Sequence, residues 1–277
     1  MPRRIMTALA MGVVGLPAII YGGVFYYLLM GTFLVGGAWE YVRLYRAVKH
    51  EPNEMVTVGG VLVLVTARFF FADVAIPIFV GLILLAMTVH LIAFERGRDQ
   101  AALDFGITVA GIVYIGWLGS YLLDLRLLIN NELGLWWLML ILPLVWAADT
   151  GGYSIGSVYG KHKMAPRLSP KKSWEGYFAG IFTSVIVGAF FAYAFSSMQT
   201  GPQPLHGLIN PLQGALLGLA IGALAPLGDL GESMLKRQSG MKDSSNIFPG
   251  HGGFLDRIDS WIWGVAIGYF LIQYLIL

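Results

Sequence analysis

Long apolar stretches, each close to 20 residues, alternate with short polar breaks along the whole chain. A helix needs about 20 apolar residues to cross the hydrocarbon core of a bilayer. On that measure the pattern predicts about nine spans, near residues 5–22, 24–42, 56–72, 74–94, 104–123, 134–152, 176–197, 212–231 and 260–277. The breaks fall at Gly22-Gly23, Glu51-Pro52-Asn53, Ala72-Asp73, Glu95 to Asp99, Asn130-Asn131 and Ser196 to Pro211. Arg68 interrupts the third span, so the pair at 56–94 is the least regular. The expected fold class is all-α: a polytopic transmembrane helical protein.

Composition agrees. Of 277 residues, 57% are hydrophobic and 12% charged, and the mean hydropathy is +0.70. A soluble domain carries about 25% charged residues, so this chain has too little polar surface to coat a water-soluble body. Its 36 glycines suit helices that pack backbone to backbone in a membrane. The absence of cysteine excludes disulfides, thiolate metal sites and cysteine nucleophiles. Arg3 and Arg4 before an apolar run resemble a signal peptide. No small-residue cleavage site followed by a soluble domain is present, so a retained helix is expected.

Basic residues orient the spans, because cytoplasmic loops retain them. With the N-terminus inside, successive cytoplasmic loops carry Arg43, Arg46 and Lys49; Arg96 and Arg98; Lys161, Lys163, Arg167, Lys171 and Lys172; and Lys236, Arg237, Lys242 and Arg257. Arg126 is the one clear exception. The two longest polar loops then share the cytoplasmic face. Residues 1–140 read as a transmembrane scaffold without a chemical signature, and residues 141–277 as the region where the polar information is concentrated.

Chemistry concentrates in two clusters. The first begins at Asp149, near the expected end of an apolar helix, where an ionisable residue is a functional candidate by default. Gly151, Gly152, Gly156 and Gly160 follow, with Lys161 and the string Ser169-Pro170-Lys171-Lys172-Ser173-Trp174-Glu175-Gly176. Glycine-rich backbone beside cations suits a polyphosphate. Gly156 to Lys161 is not a Walker A loop: it is one residue short, and His162 follows the lysine. A solvated loop that merely fixes topology is the competing reading.

The second cluster runs from Asp229 to Asp259 and includes Lys236, Arg237, Lys242, Arg257 and the turn Pro249-Gly250-His251-Gly252-Gly253. Asp256 and Asp259 stand three apart at the start of the last span, so a helix puts both on one face. Carboxylates so close repel unless a cation lies between them, and oxygen ligands suit Mg²⁺ shared with substrate phosphates. Asp229, from the neighbouring span, can supply a third ligand. The alternative is an interfacial salt-bridge cluster anchoring a helix end. His251 can act as a base, a phosphate donor or a metal ligand, or simply bond within its turn. His90 and Arg68 stand isolated in apolar spans, where packing or snorkelling explains them.

The segment Ser233-x-Leu235-Lys236-Arg237, then Lys242-Asp243, then Pro249-x-His251-Gly252-Gly253-Phe254-x-Asp256-Arg257-Ile258-Asp259 resembles the signature of the phosphatidate cytidylyltransferases, or CDP-diacylglycerol synthases. Every fixed position of that pattern is filled. Ser169-Pro170-Lys171-Lys172-Ser173-x-Glu175-Gly176 resembles the family's second shared segment, with Ser173 where Thr is common. Gly152 and Ser157 stand where Ala and a basic residue are expected. The resemblance covers about residues 145–260.

It implies a reaction of CTP with phosphatidate that yields CDP-diacylglycerol and pyrophosphate, in phospholipid biosynthesis. By that resemblance Asp229, Asp256 and Asp259 hold Mg²⁺, with room for a second metal or a monovalent cation. Lys236, Arg237 and His251 join the catalytic set, and Asp149, Ser169, Lys171, Lys172, Lys242 and Arg257 the substrate-binding set. The partners implied are CTP, phosphatidate and the phospholipid membrane, with no nucleic acid. The oligomeric state stays open, a homodimer among the options. A bacterial plasma membrane is the expected location, with the active site on its cytoplasmic face. An ion-coupled transporter is the main rival, but transporters place acids at mid-span in broken helices and show repeated halves. A CDP-alcohol phosphotransferase would show a longer Asp-rich motif along one helix.

Overall fold

The computed structural model describes residues 2–197, 208–250 and 252–277. Helices dominate: α1 (Pro2–Tyr21), α2 (Gly23–Arg46), α3 (Glu54–Phe70), α4 (Ala75–Glu95), α5 (Ala101–Gly111), α6 (Tyr121–Leu127), α7 (Asn131–Tyr159), α8 (Trp174–Ser197), α9 (Pro211–Leu224), α10 (Pro226–Gln238) and α11 (Leu255–Leu275). A π-helical stretch, Ile112–Leu118, joins α5 to α6. The all-α expectation needs one addition, an antiparallel hairpin of β1 (Lys163–Ala165) and β2 (Ser169–Ser173). Among the described residues five segments are long and apolar enough to cross a membrane: Ala72–Glu95, Ala101–Leu127, Glu132–Tyr159, Trp174–Ser197 and Pro211–Gln238.

Three of the polar breaks that punctuate the sequence become helix caps. The Asn53 side chain accepts from Val56 N, and that of Asn130 accepts from Glu132 N and Leu133 N. Asn210 and Gln213 form a reciprocal capping box at the start of α9. Each satisfies N–H groups that a helix start leaves without partners.

Two helices run further than hydropathy alone indicates. The expected span at 134–152 continues as α7 to Tyr159, so Gly156 is helical along with Gly151 and Gly152. These glycines therefore form no phosphate-cradling loop. They serve packing: a Cβ on Gly156 would sit 3.2 Å from Gly176 Cα of α8, and one on Gly176 only 3.0 Å from Gly156 Cα. Hydropathy missed the extension because small residues score as neither core nor loop. Likewise α10 carries the expected span at 212–231 on to Gln238, so Asp229, Glu232, Ser233 and Lys236 recur at helical spacing.

The chain forms two compact units. The first comprises Met1–Asp124 with Met234–Ile258, and the second Leu125–Ser233 with Asp259–Leu277. The expected boundary near residue 140 falls inside α7, within the second unit. In the first unit Val56, Leu64, Ala86 and Ile112 form an apolar centre, and Tyr26 OH donates to Leu122 O. Arg68 is not isolated there: it pairs with Asp124 and lies over the rings of Trp117 and Tyr121, at 4.4 and 4.7 Å. His90 Nε2 shares a hydrogen bond of 2.9 Å with Thr108 Oγ1. In the second unit the apolar face of α7 is buried through Leu138, Ile141, Leu144 and Val145. Gly264 and Gly268 of α11 pack against Val145 and Ile141.

Candidate active site

In the second unit, the hairpin and the facing stretches of α7, α8 and α10 enclose a cleft of about 590 Å³. That is within the roughly 300–1,000 Å³ typical of small-molecule sites. Asp149, Ser169, Lys171, Lys172 and Asp229 all line it, so residues spread over 81 positions meet in one place. The hairpin carries the cations. Its return into α8 is tied at the base, where His162 N and Nδ1 approach the Glu175 carboxylate at 3.2 and 2.6 Å. Ser173 Oγ accepts from Gly176 N at 3.3 Å. Lys172 Nζ reaches Asp229 Oδ2 at 2.7 Å, while Lys171 is exposed in the cleft wall.

Asp229 belongs to a second grouping. Ligand oxygens of Asp229, Glu232 and Asp259 lie within 4.8 Å of one another, the one such acidic group among the described residues. Asp229 and Glu232 come from one face of α10, three residues apart, and Asp259 from the first turns of α11. Three carboxylates this close repel, and their donor set is entirely oxygen, which fits a hard divalent cation. Glu232 was not singled out from the sequence. Its spacing from Asp229 was the available signal.

Asp256 keeps different company, in the first unit. Its Oδ1 accepts from Lys236 Nζ at 2.5 Å. Its Oδ2 accepts from Ser244 N at 2.9 Å and Gly253 N at 2.8 Å, with Ser244 Oγ at 2.5 Å. Asp256 lies ahead of the expected span at 260–277. Burial pushes its carboxyl up, but the bonds from Gly253, Lys236 and Ser244 outweigh that and hold it below the usual carboxylate range. Thus Asp229 and Asp259 group with Glu232 in the second unit, and Asp256 pairs with Lys236 in the first.

The remaining candidates are in the first unit. Arg237 is exposed and donates to Met241 O at 3.1 Å, and Lys242 is exposed. Arg257 is half-buried, with its Nε buried and making no hydrogen bond. His251 lies outside the described residues. The turn around it uses glycine's freedom, with Gly250 and Gly252 at φ +78° and +79°. Phe248 N donates to Gly252 O at 2.9 Å across it.

A carboxylate in the expected scaffold also belongs to this region. Glu40, on α2, is fully buried and accepts from Ser245 Oγ, Phe254 N and Leu255 N, with Ser244 Oγ at 2.8 Å. The rule that singled out Asp149, an acid inside an apolar stretch, applies equally to Glu40.

Comparison with known proteins adds the family. A model of the cytidylyltransferase family matches residues 2–275. A phosphatidate cytidylyltransferase of Pseudomonas aeruginosa is 34% identical, over 93% of this chain and 92% of that protein. One of Bacillus subtilis is 32% identical, over 98% and 97%. One of Haemophilus influenzae is 46% identical over 127 residues, which are 46% of this chain and 42% of that protein.

Proposed function

The chain belongs to the cytidylyltransferase family, and from that membership we propose how its residues convert CTP and phosphatidate to CDP-diacylglycerol and pyrophosphate. It is an integral membrane nucleotidyltransferase of phospholipid biosynthesis. The observation that carries the assignment of residues is the convergence of Asp149, Ser169, Lys171, Lys172 and Asp229 on one cleft.

In the proposed reaction a phosphate oxygen of phosphatidate attacks the α-phosphorus of CTP. The new P–O bond forms as the bond to the β-phosphate breaks, and pyrophosphate leaves with its electron pair. Such a transfer asks the protein for position and fixed charge more than for covalent chemistry. A phosphate monoester is already ionised near neutral pH, its second pKa being about 6, so no strong base is needed.

Lys171 and Lys172 are assigned to the CTP phosphates as point charges, with Ser169 as a hydroxyl donor. Lys172 leaves its pairing with Asp229 to do so. Asp229, Glu232 and Asp259 are assigned to Mg²⁺, which when bound neutralises polyphosphate charge and eases departure of pyrophosphate. Asp256 is assigned the orientation of Lys236, whose ammonium meets a phosphate oxygen. Arg237, Lys242 and Arg257 are assigned to phosphate neutralisation around the signature segment. The cytoplasmic face of a bacterial plasma membrane is the proposed location, because it presents CTP on one side and the lipid headgroup on the other.

The test is label transfer. Purified protein in detergent receives radiolabelled CTP and phosphatidate, with and without Mg²⁺. Label in the lipid fraction that requires both phosphatidate and the cation is the expected result. Absence of lipid label across several divalent ions and phosphatidate species would overturn the reading.

A further inference from the structure

We propose that Glu40 is a positioning residue for the reaction: it anchors the Ser244–Asp256 loop and the first turn of α11 so that Asp256 and Lys236 hold their working geometry. The inference rests on the functional reading above and adds to it a residue of the supposed scaffold.

One face of α2 receives this loop. Phe33, Gly36, Gly37 and Glu40 recur at intervals of three and four and so share a side of the helix. At one end of that face Phe33, Phe248 and Phe254 form a ring cluster, with centroids 5.0 to 5.8 Å apart. A Cβ on Gly36 would collide with the Phe254 ring, so glycine lets the ring lie against the helix. At the other end stands Glu40, with no exposure to solvent. A buried carboxylate is expensive unless its oxygens are met by donors. Here every donor comes from the loop. Oε1 accepts from Ser245 Oγ at 2.5 Å and Phe254 N at 3.0 Å, and Oε2 from Leu255 N at 2.8 Å.

Two features tie this to catalysis rather than to stability alone. Phe254 N and Leu255 N belong to the open N-terminus of α11, the helix that carries Asp256 and Asp259. An acid there complements the dipole and fixes where the helix begins. Ser244 links the two carboxylates directly. Its Oγ lies 2.8 Å from Glu40 Oε2 and 2.5 Å from Asp256 Oδ2, while its backbone N–H bonds Asp256 at 2.9 Å. The hydroxyl has one proton to donate, so the position of either carboxylate is felt by the other.

The experiment compares Glu40→Gln, Glu40→Asp and Ser244→Ala with the full-length protein in detergent. It measures kcat and KM for CTP per folded molecule, and amide exchange of peptides covering 244–258. Glu40→Gln keeps the volume but points an amide donor at backbone donors. The expected result is a kcat about 30- to 100-fold lower with KM changed less than about threefold, and faster exchange confined to 244–258. Glu40→Asp should recover part of the kcat. If Glu40→Gln does not fold, Ser244→Ala decides, with a smaller kcat loss and the same local loosening. Wild-type kcat in folded Glu40→Gln, or in Ser244→Ala, would overturn the inference. So would loosening throughout the first unit with kcat per folded molecule intact. Failure of the inference is distinguished from failure of the functional reading by the wild-type control: no label transfer by wild type sinks the latter, whereas active wild type beside fully active Glu40→Gln sinks only the former.

Discussion

Replacing Asp256 by asparagine tests whether the Lys236 pair is the buried unit described above. The carboxylate and the ammonium are each under 10% exposed and 2.5 Å apart. Asparagine has the same outline but one acceptor oxygen and one two-proton donor. Oriented with its oxygen toward Ser244 N and Gly253 N, it turns its amide donor on Lys236. Oriented the other way, it sets the same donor against those two backbone N–H groups. Either arrangement leaves buried donors facing donors. Both also remove the carboxylate charge that Lys236 faces at 2.5 Å, and breaking a buried ion pair typically costs about 3–5 kcal/mol. Thermal unfolding in detergent should therefore fall by on the order of 10 °C, together with loss of label transfer. The double variant Asp256→Asn/Lys236→Met removes the ammonium as well, and its midpoint should return most of the way while activity stays lost. A single variant as stable and active as wild type would refute the reasoning. So would a double variant no more stable than the single one.

Four further outcomes follow from the geometry. Asp259→Asn and Glu232→Gln should each lower kcat by about 100-fold and weaken Mg²⁺ binding measured calorimetrically, because each removes one of the three grouped carboxylates. Lys172→Ala should raise KM for CTP more than it lowers kcat, whereas Lys163→Ala, outside the shared segment, should be milder; equal losses would mean that the site extends further along the hairpin. Gly218→Ala would place a Cβ 2.7 Å from Ser184 C and 2.8 Å from Val185 Cα of α8, so stability should drop by about 1–3 kcal/mol with activity per folded molecule retained. Arg68→Met, which strips Asp124 of its partner and vacates the rings of Trp117 and Tyr121, should lower the unfolding midpoint without changing KM for CTP.

Much of this protein is a consequence of sequence alone. Runs of apolar residues about 20 long can only be helices when they face lipid, because no water is there to satisfy the backbone; hence helices lie where hydropathy places them. The breaks at Asn53, Asn130 and Asn210 were legible because a side-chain oxygen at a helix start has a local partner within three residues. The signature segment was equally legible, since its acids, cations and glycines fall within 31 consecutive residues. Hydropathy could not see that α7 continues past Gly152 through Gly156, because helix–helix contact there depends on what α8 presents. Nor could spacing alone decide which carboxylates associate. Asp256 and Asp259 are equivalent by sequence periodicity, yet one meets Lys236, Ser244 and Gly253 while the other joins Asp229 and Glu232. Glu40 and Ser244, 204 positions apart, show the same limit. Periodicity reports the local turn of one helix, whereas the partner of a charge is set by whichever distant segment folds against it, and that is decided only in three dimensions.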